Sequence, residues 1–166
     1  MAKDSSFDVV SEVDLQEVDN AWQQTRKELV QRYDLKDSGA TLELDKSAGR
    51  FTLQAPSEFV AGQVQDVLNT KLVRRGIDLK ALHWGQAQAA SGMTVRLFGD
   101  LVSGISKEIA QRINKDIRAQ KYKNVKVQIE GDKLRVFSPS RDALQEVIAF
   151  LKEQDYGQPL QYNNYR

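Results

Sequence analysis

The chain has 166 residues, of which 40% are hydrophobic and 28% are charged. These proportions are ordinary for globular proteins and exclude extensive disorder. The formal net charge is +1 and the chain contains no cysteine, which excludes disulfides and thiolate metal sites. No apolar run reaches the roughly 18 residues of a membrane span, so we expect a cytoplasmic protein.

The first half of the chain predicts a strand, a helix, a hairpin, a second helix and a closing strand. Apolar residues at helical spacing indicate a helix within residues 14–36, with Asp14 as its cap and Tyr33 on its apolar face. Ser57 is the expected cap of the second helix. Alternating apolar residues indicate strands at residues 7–13, 42–44, 51–53 and 82–89.

The second half predicts the same order of elements. Ser106 is the expected cap of a third helix, and Ser138-Pro139 is expected to open a fourth, because proline suits the first helical position. Isolated glycines such as Gly99 are interpreted as turn residues. The predicted strands of this half lie at residues 94–98, 125–129, 134–136 and 160–166.

The order of elements in each half is βαββαβ. In such a unit two helices cover one face of a four-stranded antiparallel sheet, which is the ferredoxin-like arrangement. The sequence therefore predicts an α+β protein of two ferredoxin-like domains. Only a short Ala-Ser-Gly segment at residues 90–92 joins the two halves.

Catalytic and metal-binding patterns are not evident. His83 is the only histidine, so it cannot form a histidine-rich metal site, and we interpret it as a structural or surface residue. No glycine-rich loop matches a P-loop or a dinucleotide-binding fingerprint. We therefore expect no enzymatic activity, no metal and no cofactor.

Basic residues concentrate in the second half. Residues 107–135 contain 9 Lys and Arg against 4 Asp and Glu, whereas residues 1–50 contain 7 against 11. Positive charge of this kind attracts phosphates, although exposed Lys and Arg side chains also serve simply to keep helices and hairpins soluble. The candidate phosphate-binding residues are Arg141, Arg135, Lys126, Lys133, Lys121, Lys71, Arg74 and Arg75.

Structural interpretations of these cations remain open. Lys71, Arg74 and Arg75 end the predicted second helix, where cations are stabilised by the helix dipole. Arg141, near a helix start, is placed to meet a phosphate together with backbone amides, or else to pair with Asp142 or Glu146. The aromatic and glycine signature of RNA-recognition domains is lacking, so base stacking on the open sheet face is not indicated.

Five segments resemble the YajQ family of bacterial proteins. They are SFDVVSEVDLQEVDNA, KLVRRGIDLKAL, QIEGDKLRV, RDALQEVIAFLK and PLQYNNYR, in the family's order and spacing. The resemblance implies two ferredoxin-like domains whose first strands are exchanged. It therefore places one domain at residues 14–104 and the other at residues 1–13 plus 105–166.

The resemblance also implies a function. YajQ-like proteins are described as nucleotide-binding, with GTP, tRNA and cyclic di-GMP as candidate ligands and no enzymatic activity. This chain has Met93 and the segment Ser138-Pro139-Ser140 where relatives usually carry lysines, which disfavours cyclic di-GMP most. The sequence thus predicts a non-enzymatic nucleotide- or RNA-binding protein, as a monomer or weak dimer. The alternative is an adaptor that contacts transcription regulators without a nucleotide ligand.

Overall fold

The computed structural model of the chain describes residues 4–166. In chain order its elements are β1 (Ser5–Val10), α1 (Leu15–Gln31), β2 (Thr41–Asp45), β3 (Arg50–Ala55), α2 (Glu58–Arg74), β4 (Leu82–Trp84), β5 (Gln88–Ala90), β6 (Thr94–Leu101), α3 (Lys107–Ala119), β7 (Lys126–Glu130), β8 (Lys133–Ser138), α4 (Arg141–Lys152) and β9 (Gln161–Asn163). No helix within the described range is long and apolar enough to cross a membrane.

The chain divides into two compact units. The first unit is Val13–Val102, and the second combines residues 4–12 with Ser103–Arg166. In the first unit the strand order is β2-β3-β6-β4, with β5 also paired to β6. In the second unit it is β7-β8-β1-β9, and all pairs in both sheets are antiparallel.

The first strands of the two units are exchanged along the chain. β1 precedes α1, yet it pairs with β8 and β9 of the second unit. β6 precedes α3, yet it pairs with β3, β4 and β5 of the first unit. The prediction of two ferredoxin-like units with exchanged strands is therefore confirmed. Whether residues 14–104 and 1–13 plus 105–166 behave as independent domains stays a prediction.

Each unit has its own apolar core between the sheet and two helices. In the first unit Phe51 and Leu68 are completely buried, and in the second Phe7 and Ile113 are. The helix starts follow the predicted capping, since the side chains of Asp14, Ser57 and Ser106 accept hydrogen bonds from backbone N–H groups of the first turns. These three predictions are confirmed.

The placement of Tyr33 on the apolar face of the first helix was wrong. α1 ends at Gln31, and Arg32 adopts an extended conformation with ψ of 127°. Tyr33 therefore leaves the helical face and is 90% exposed instead of packed in the core. Helical spacing continued in the sequence beyond the point where the backbone leaves the helix.

The start of the fourth helix was also predicted wrongly. Ser138 is the last residue of β8 and pairs with Ser5. The cap of α4 is Ser140, whose Oγ accepts a 3.2 Å hydrogen bond from the backbone N–H of Ala143. Sheet pairing extends the strand through Ser138, so Pro139 lies before the helix and not in its first turn.

Gly99 lies inside β6 and not in a turn. It pairs with Phe51 on one side and Trp84 on the other. A Cβ built on Gly99 would lie 2.9 Å from two carbons of the Trp84 ring. The glycine is thus needed because an indole ring packs directly on the backbone of the strand.

Several predicted strands are shorter or divided. The strand predicted at residues 7–13 is Ser5–Val10, and the one predicted at 160–166 is regular only over Gln161–Asn163. The weak pattern at residues 82–89 corresponds to two short strands, β4 and β5, which pair with opposite ends of β6.

Candidate functional site

The outer face of the second sheet carries a buried carboxylate. Asp8 on β1 is only 2% exposed and lies opposite Arg135 of β8 in the register. Arg135 Nε donates a 2.8 Å hydrogen bond to Oδ1 of Asp8, and Asn164 Nδ2 donates one of 2.9 Å to Oδ2. The ammonium group of Lys133 lies 3.4 Å from the same Oδ2.

These contacts determine the charge state of the sheet face. Burial on its own raises the pKa of Asp8, but the hydrogen bonds from Arg135, Asn164 and Lys133 outweigh it and lower the pKa to about 2. The hydrogen bond to Asp8 in turn raises the pKa of Arg135. Two predicted phosphate-binding cations, Lys133 and Arg135, are therefore already paired with a carboxylate.

A different part of the second unit gathers unpaired positive charge. β8 runs antiparallel to both β1 and β7, and β9 runs antiparallel to β1. The first residues of β1 and β7 therefore lie at the same end of the sheet as the last residues of β8 and β9. α3 ends at this end of the sheet because it leads into β7, and α4 begins there because it follows β8. We call this region the basic end; its exposed cations are Arg118, Lys121, Lys123, Lys126, Arg141 and Arg166.

One pocket of the basic end combines guanidinium groups with an aromatic ring. It has a volume of about 290 Å³ and is lined by Ser5, Arg141, Tyr165 and Arg166, among others. Arg141 Nε donates a 3.4 Å hydrogen bond to Ser5 Oγ. The Tyr165 ring is centred 6.2 Å from that of Phe7, and the residue is 60% exposed. We call it the arginine–tyrosine pocket.

A second pocket lies where α3 leads into β7. Its volume is about 410 Å³, and its cationic lining consists of Arg118, Lys121 and Lys126. Tyr122 also lines it and makes an edge contact with Phe150, with ring centres 6.4 Å apart. We call it the lysine pocket, and it brings together two of the predicted phosphate-binding residues.

Two cations of the predicted cluster at the end of α2 are paired with carboxylates of the first unit. Lys71 Nζ lies 3.0 Å from a carboxylate oxygen of Glu28, and Arg75 Nη1 lies 3.3 Å from one of Glu17. Both pairs line a shallow depression of about 560 Å³ that also includes Arg74. Lys27 also lines the depression, so its four cations exceed its two carboxylates by two charges.

Sequence reasoning missed three residues of the arginine–tyrosine pocket. Ser5, Tyr165 and Arg166 lie at opposite ends of the chain, and backbone hydrogen bonds of 3.1 and 3.0 Å between Ser6 and Arg166 bring these ends together. The closing segment PLQYNNYR contained the tyrosine and the arginine, but only sheet pairing shows that they join Arg141. Among residues 4–166 Arg141 has no carboxylate within ion-pair distance and bonds to Ser5 instead, so the alternative in which it pairs with Asp142 or Glu146 is wrong.

The described residues do not form a metal-binding cluster, and the single histidine lies at the surface. Within residues 4–166 no three His, Asp or Glu side chains cluster in a way that would hold a metal ion. His83 lies on the exposed side of β4, and its Nε2 is 2.9 Å from the carbonyl oxygen of Lys80. The fold places the chain in the class of tandem ferredoxin-like proteins.

Comparison with known proteins identifies the family. The family described as "Nucleotide-binding protein YajQ-like" matches residues 5–166, so the chain belongs to it. A nucleotide-binding protein of Synechococcus elongatus is 48% identical over 166 residues, which is all of both chains. A nucleotide-binding protein of Nocardia farcinica is 50% identical over 163 residues, covering 98% of this chain and 99% of the relative. Neither name mentions a reaction.

Proposed function

We propose that the protein binds a nucleotide, without converting it, in the arginine–tyrosine pocket. The observation that carries this proposal is the convergence of Arg141, Arg166 and the exposed Tyr165 ring on one cavity. Guanidinium groups bind phosphate oxygens in a bidentate manner, and a tyrosine face stacks on a base. The printed names of the relatives, which are nucleotide-binding proteins, support the same function.

The size of the pocket favours a single nucleotide unit. Its volume of about 290 Å³ lies at the lower limit of small-molecule sites, which run from roughly 300 to 1,000 Å³. GTP or one nucleotide of an RNA such as tRNA fits this limit better than cyclic di-GMP, which carries two bases. The segment Ser138-Pro139-Ser140, which stands where relatives usually carry two lysines, also argues against cyclic di-GMP.

We assign different roles to the candidate cations. Arg141 contacts the ligand directly. Arg135 and Lys133 hold the buried Asp8, and Lys71 and Arg75 hold carboxylates of α1. Lys121 and Lys126 belong to the neighbouring lysine pocket.

Titrations of GTP, tRNA and cyclic di-GMP at two salt concentrations test the proposal. Arg141→Ala is expected to weaken GTP binding at least about tenfold, because a lost hydrogen bond to a charged group costs about 1.5–3 kcal/mol. Tyr165→Ala is expected to weaken it through lost stacking, worth about 1–3 kcal/mol per base.

Matched controls separate binding from general changes in charge or aromatic content. Lys152→Ala removes one exposed cation from the other end of α4, and Tyr33→Ala removes an exposed tyrosine of the first unit. Both should bind as the unaltered protein does. Failure of all three ligands to bind at low salt, or equal losses in the controls, would overturn the proposal.

A second candidate function rests on exposed apolar side chains in the first unit. Val30 in the last turn of α1 is 69% exposed, Tyr33 just beyond that helix is 90% exposed, and Phe59 at the start of α2 is 76% exposed. A hydrogen bond of 3.2 Å from Gln63 to Asp34 brings these helix ends together. Exposed apolar side chains are typical of protein-contact surfaces and support the alternative function of an adaptor, for which we propose a transcription regulator as the partner. Its partner should survive nuclease treatment in a native pull-down and be lost in Phe59→Ser.

A further inference from the structure

The charged side chains of the second unit are segregated along the direction of its strands. Among the described residues, the basic end has six exposed cations, whereas its carboxylates are Asp4, Asp142 and, in the last turn of α3, Asp116, which accepts a 2.8 Å hydrogen bond from the Tyr156 hydroxyl. The opposite end has four cations, Lys107, Lys133, Lys152 and Arg112, whose Nη2 donates a 3.4 Å hydrogen bond to the carbonyl oxygen of Asp155. Its carboxylates are Glu12, Glu108, Glu130, Asp132, Glu153 and Asp155. The unit thus has a positive and a negative end.

The cations of the basic end are available to a ligand. Among residues 4–166, none of the six lies within 4.0 Å of a side-chain carboxylate oxygen, whereas Arg135 and Lys133 on the sheet face share Asp8. An anion approaching the sheet face would have to compete with a buried carboxylate. An anion approaching the basic end meets no such competitor, so attraction is stronger there.

The two pockets flank the same edge of the sheet. Lys126 pairs with Phe137, Phe137 with Ser6, and Ser6 with Arg166, so these residues form one row across four strands. Three inter-strand spacings of about 4.8 Å place the backbones of Lys126 and Arg166 roughly 14 Å apart. The arginine–tyrosine pocket lies at one end of this row and the lysine pocket at the other.

We infer that the basic end binds a single-stranded oligonucleotide that occupies both pockets. One base stacks on Tyr165, and the following phosphates pass along the row to Lys126, Lys121 and Arg118. A basic track with aromatic side chains along it is how proteins hold single strands without reading their sequence. This inference rests on the proposed function and extends it from a free nucleotide to a chain, bound at the end of the sheet and not on its open face.

The test compares one nucleotide with a short chain of the same base. Fluorescence anisotropy with labelled oligouridylate of about eight nucleotides, within the usual range of single-strand sites, is measured in competition with uridine monophosphate. The octamer should bind at least about tenfold more tightly, because it adds phosphate contacts that the monomer lacks.

The double variant Lys121→Ala/Lys126→Ala isolates the lysine pocket. It should weaken octamer binding about tenfold and reduce the slope of log affinity against log salt by about 1.4, or 0.7 for each lost phosphate contact. Binding of uridine monophosphate should not change. The matched control is Lys107→Ala/Lys152→Ala, which removes the same charge from the negative end and should leave both ligands unaffected.

The outcomes distinguish this inference from the function on which it rests. If monophosphate binding depends on Arg141 but the octamer binds no more tightly, the oligonucleotide inference is wrong and the proposed function stands. Equal losses in the two lysine variants would also overturn the inference. If Arg141→Ala leaves every nucleotide bound as before, the proposed function fails as well.

Discussion

Arg135 of β8 and Asp8 of β1 face each other across the central strands of the second sheet, joined by a hydrogen bond of 2.8 Å. Asp8 precedes the whole first unit in the chain, whereas Arg135 follows it. The pair therefore stabilises the exchanged strand in its sheet. Because Asp8 neutralises Arg135, this arginine contributes little to the positive charge that attracts a ligand.

The Asp8 carboxylate should make stability dependent on pH. Its pKa is lowered in the folded state from an ordinary value of 3.8 to about 2, so the stabilisation is complete above the unfolded value and is lost as pH falls through the folded one. The shift corresponds to about 2 kcal/mol at neutral pH. Urea unfolding should show this loss between about pH 5 and pH 2.

Asp8→Asn should remove that part of the pH dependence and lower the free energy of unfolding at pH 7 by at least about 2 kcal/mol. Asp37→Asn, at an exposed position, should change stability by less than about 0.5 kcal/mol. Identical pH profiles for the unaltered protein and Asp8→Asn would contradict the assignment.

Phe7→Ala should destabilise the second unit selectively. Phe7 is completely buried in that unit's core, and such a truncation costs about 3–5 kcal/mol. Both tryptophans, Trp22 and Trp84, lie in the first unit. Circular dichroism should therefore detect a transition at lower denaturant concentration, while tryptophan fluorescence keeps its midpoint. If the midpoints of both signals shift together, the two domains do not fold independently. The control is Val30→Ala, at an exposed site.

Gly99→Ala should destabilise the first unit. The added Cβ would lie 2.9 Å from the Trp84 ring, which is stacked near Phe51 at 6.3 Å, and overpacking of this kind costs about 1–3 kcal/mol. Gly62→Ala on α2 is the matched control, since a Cβ added at Gly62 has no neighbouring atom within 4 Å. That change should stabilise the protein by about 0.5–1 kcal/mol. Thermal unfolding followed by tryptophan emission measures both; equal midpoints would show that the indole moves aside without cost.

Lys71→Ala and Arg75→Ala should leave nucleotide binding unchanged. Both cations are engaged by carboxylates of α1, at 3.0 and 3.3 Å. Each partly exposed pair is worth at most about 1 kcal/mol of stability. Calorimetric titration with GTP, beside Arg141→Ala, checks this expectation. A larger loss in these variants than in Arg141→Ala would locate the phosphate site in the first unit.

Local signals explain which structural predictions succeeded. The caps Asp14, Ser57 and Ser106 were found because a capping side chain bonds to backbone groups only a few residues away. Tyr33 was misplaced because apolar spacing continues beyond the last helical residue. The start of α4 was misplaced because Ser138 is held in β8 by its pairing with Ser5, 133 positions earlier in the chain.

The strand exchange was anticipated only through the family resemblance. Apolar alternation shows that residues near Phe7 form a strand, but it carries no information on which sheet receives it. The sequence also did not show that Tyr165 and Arg166 share a pocket with Arg141. They do so because the end of the chain pairs with β1, which lies next to the start of α4.

Local sequence patterns were enough to predict the number, type and order of most elements, because apolar periodicity and helix capping depend on side chains within a few positions of one another. Which cations are available to a ligand depends instead on contacts between residues that are far apart in the chain. Arg135 and Asp8 are separated by 127 positions, and their charges cancel only because sheet pairing buries the carboxylate and places both groups in one register.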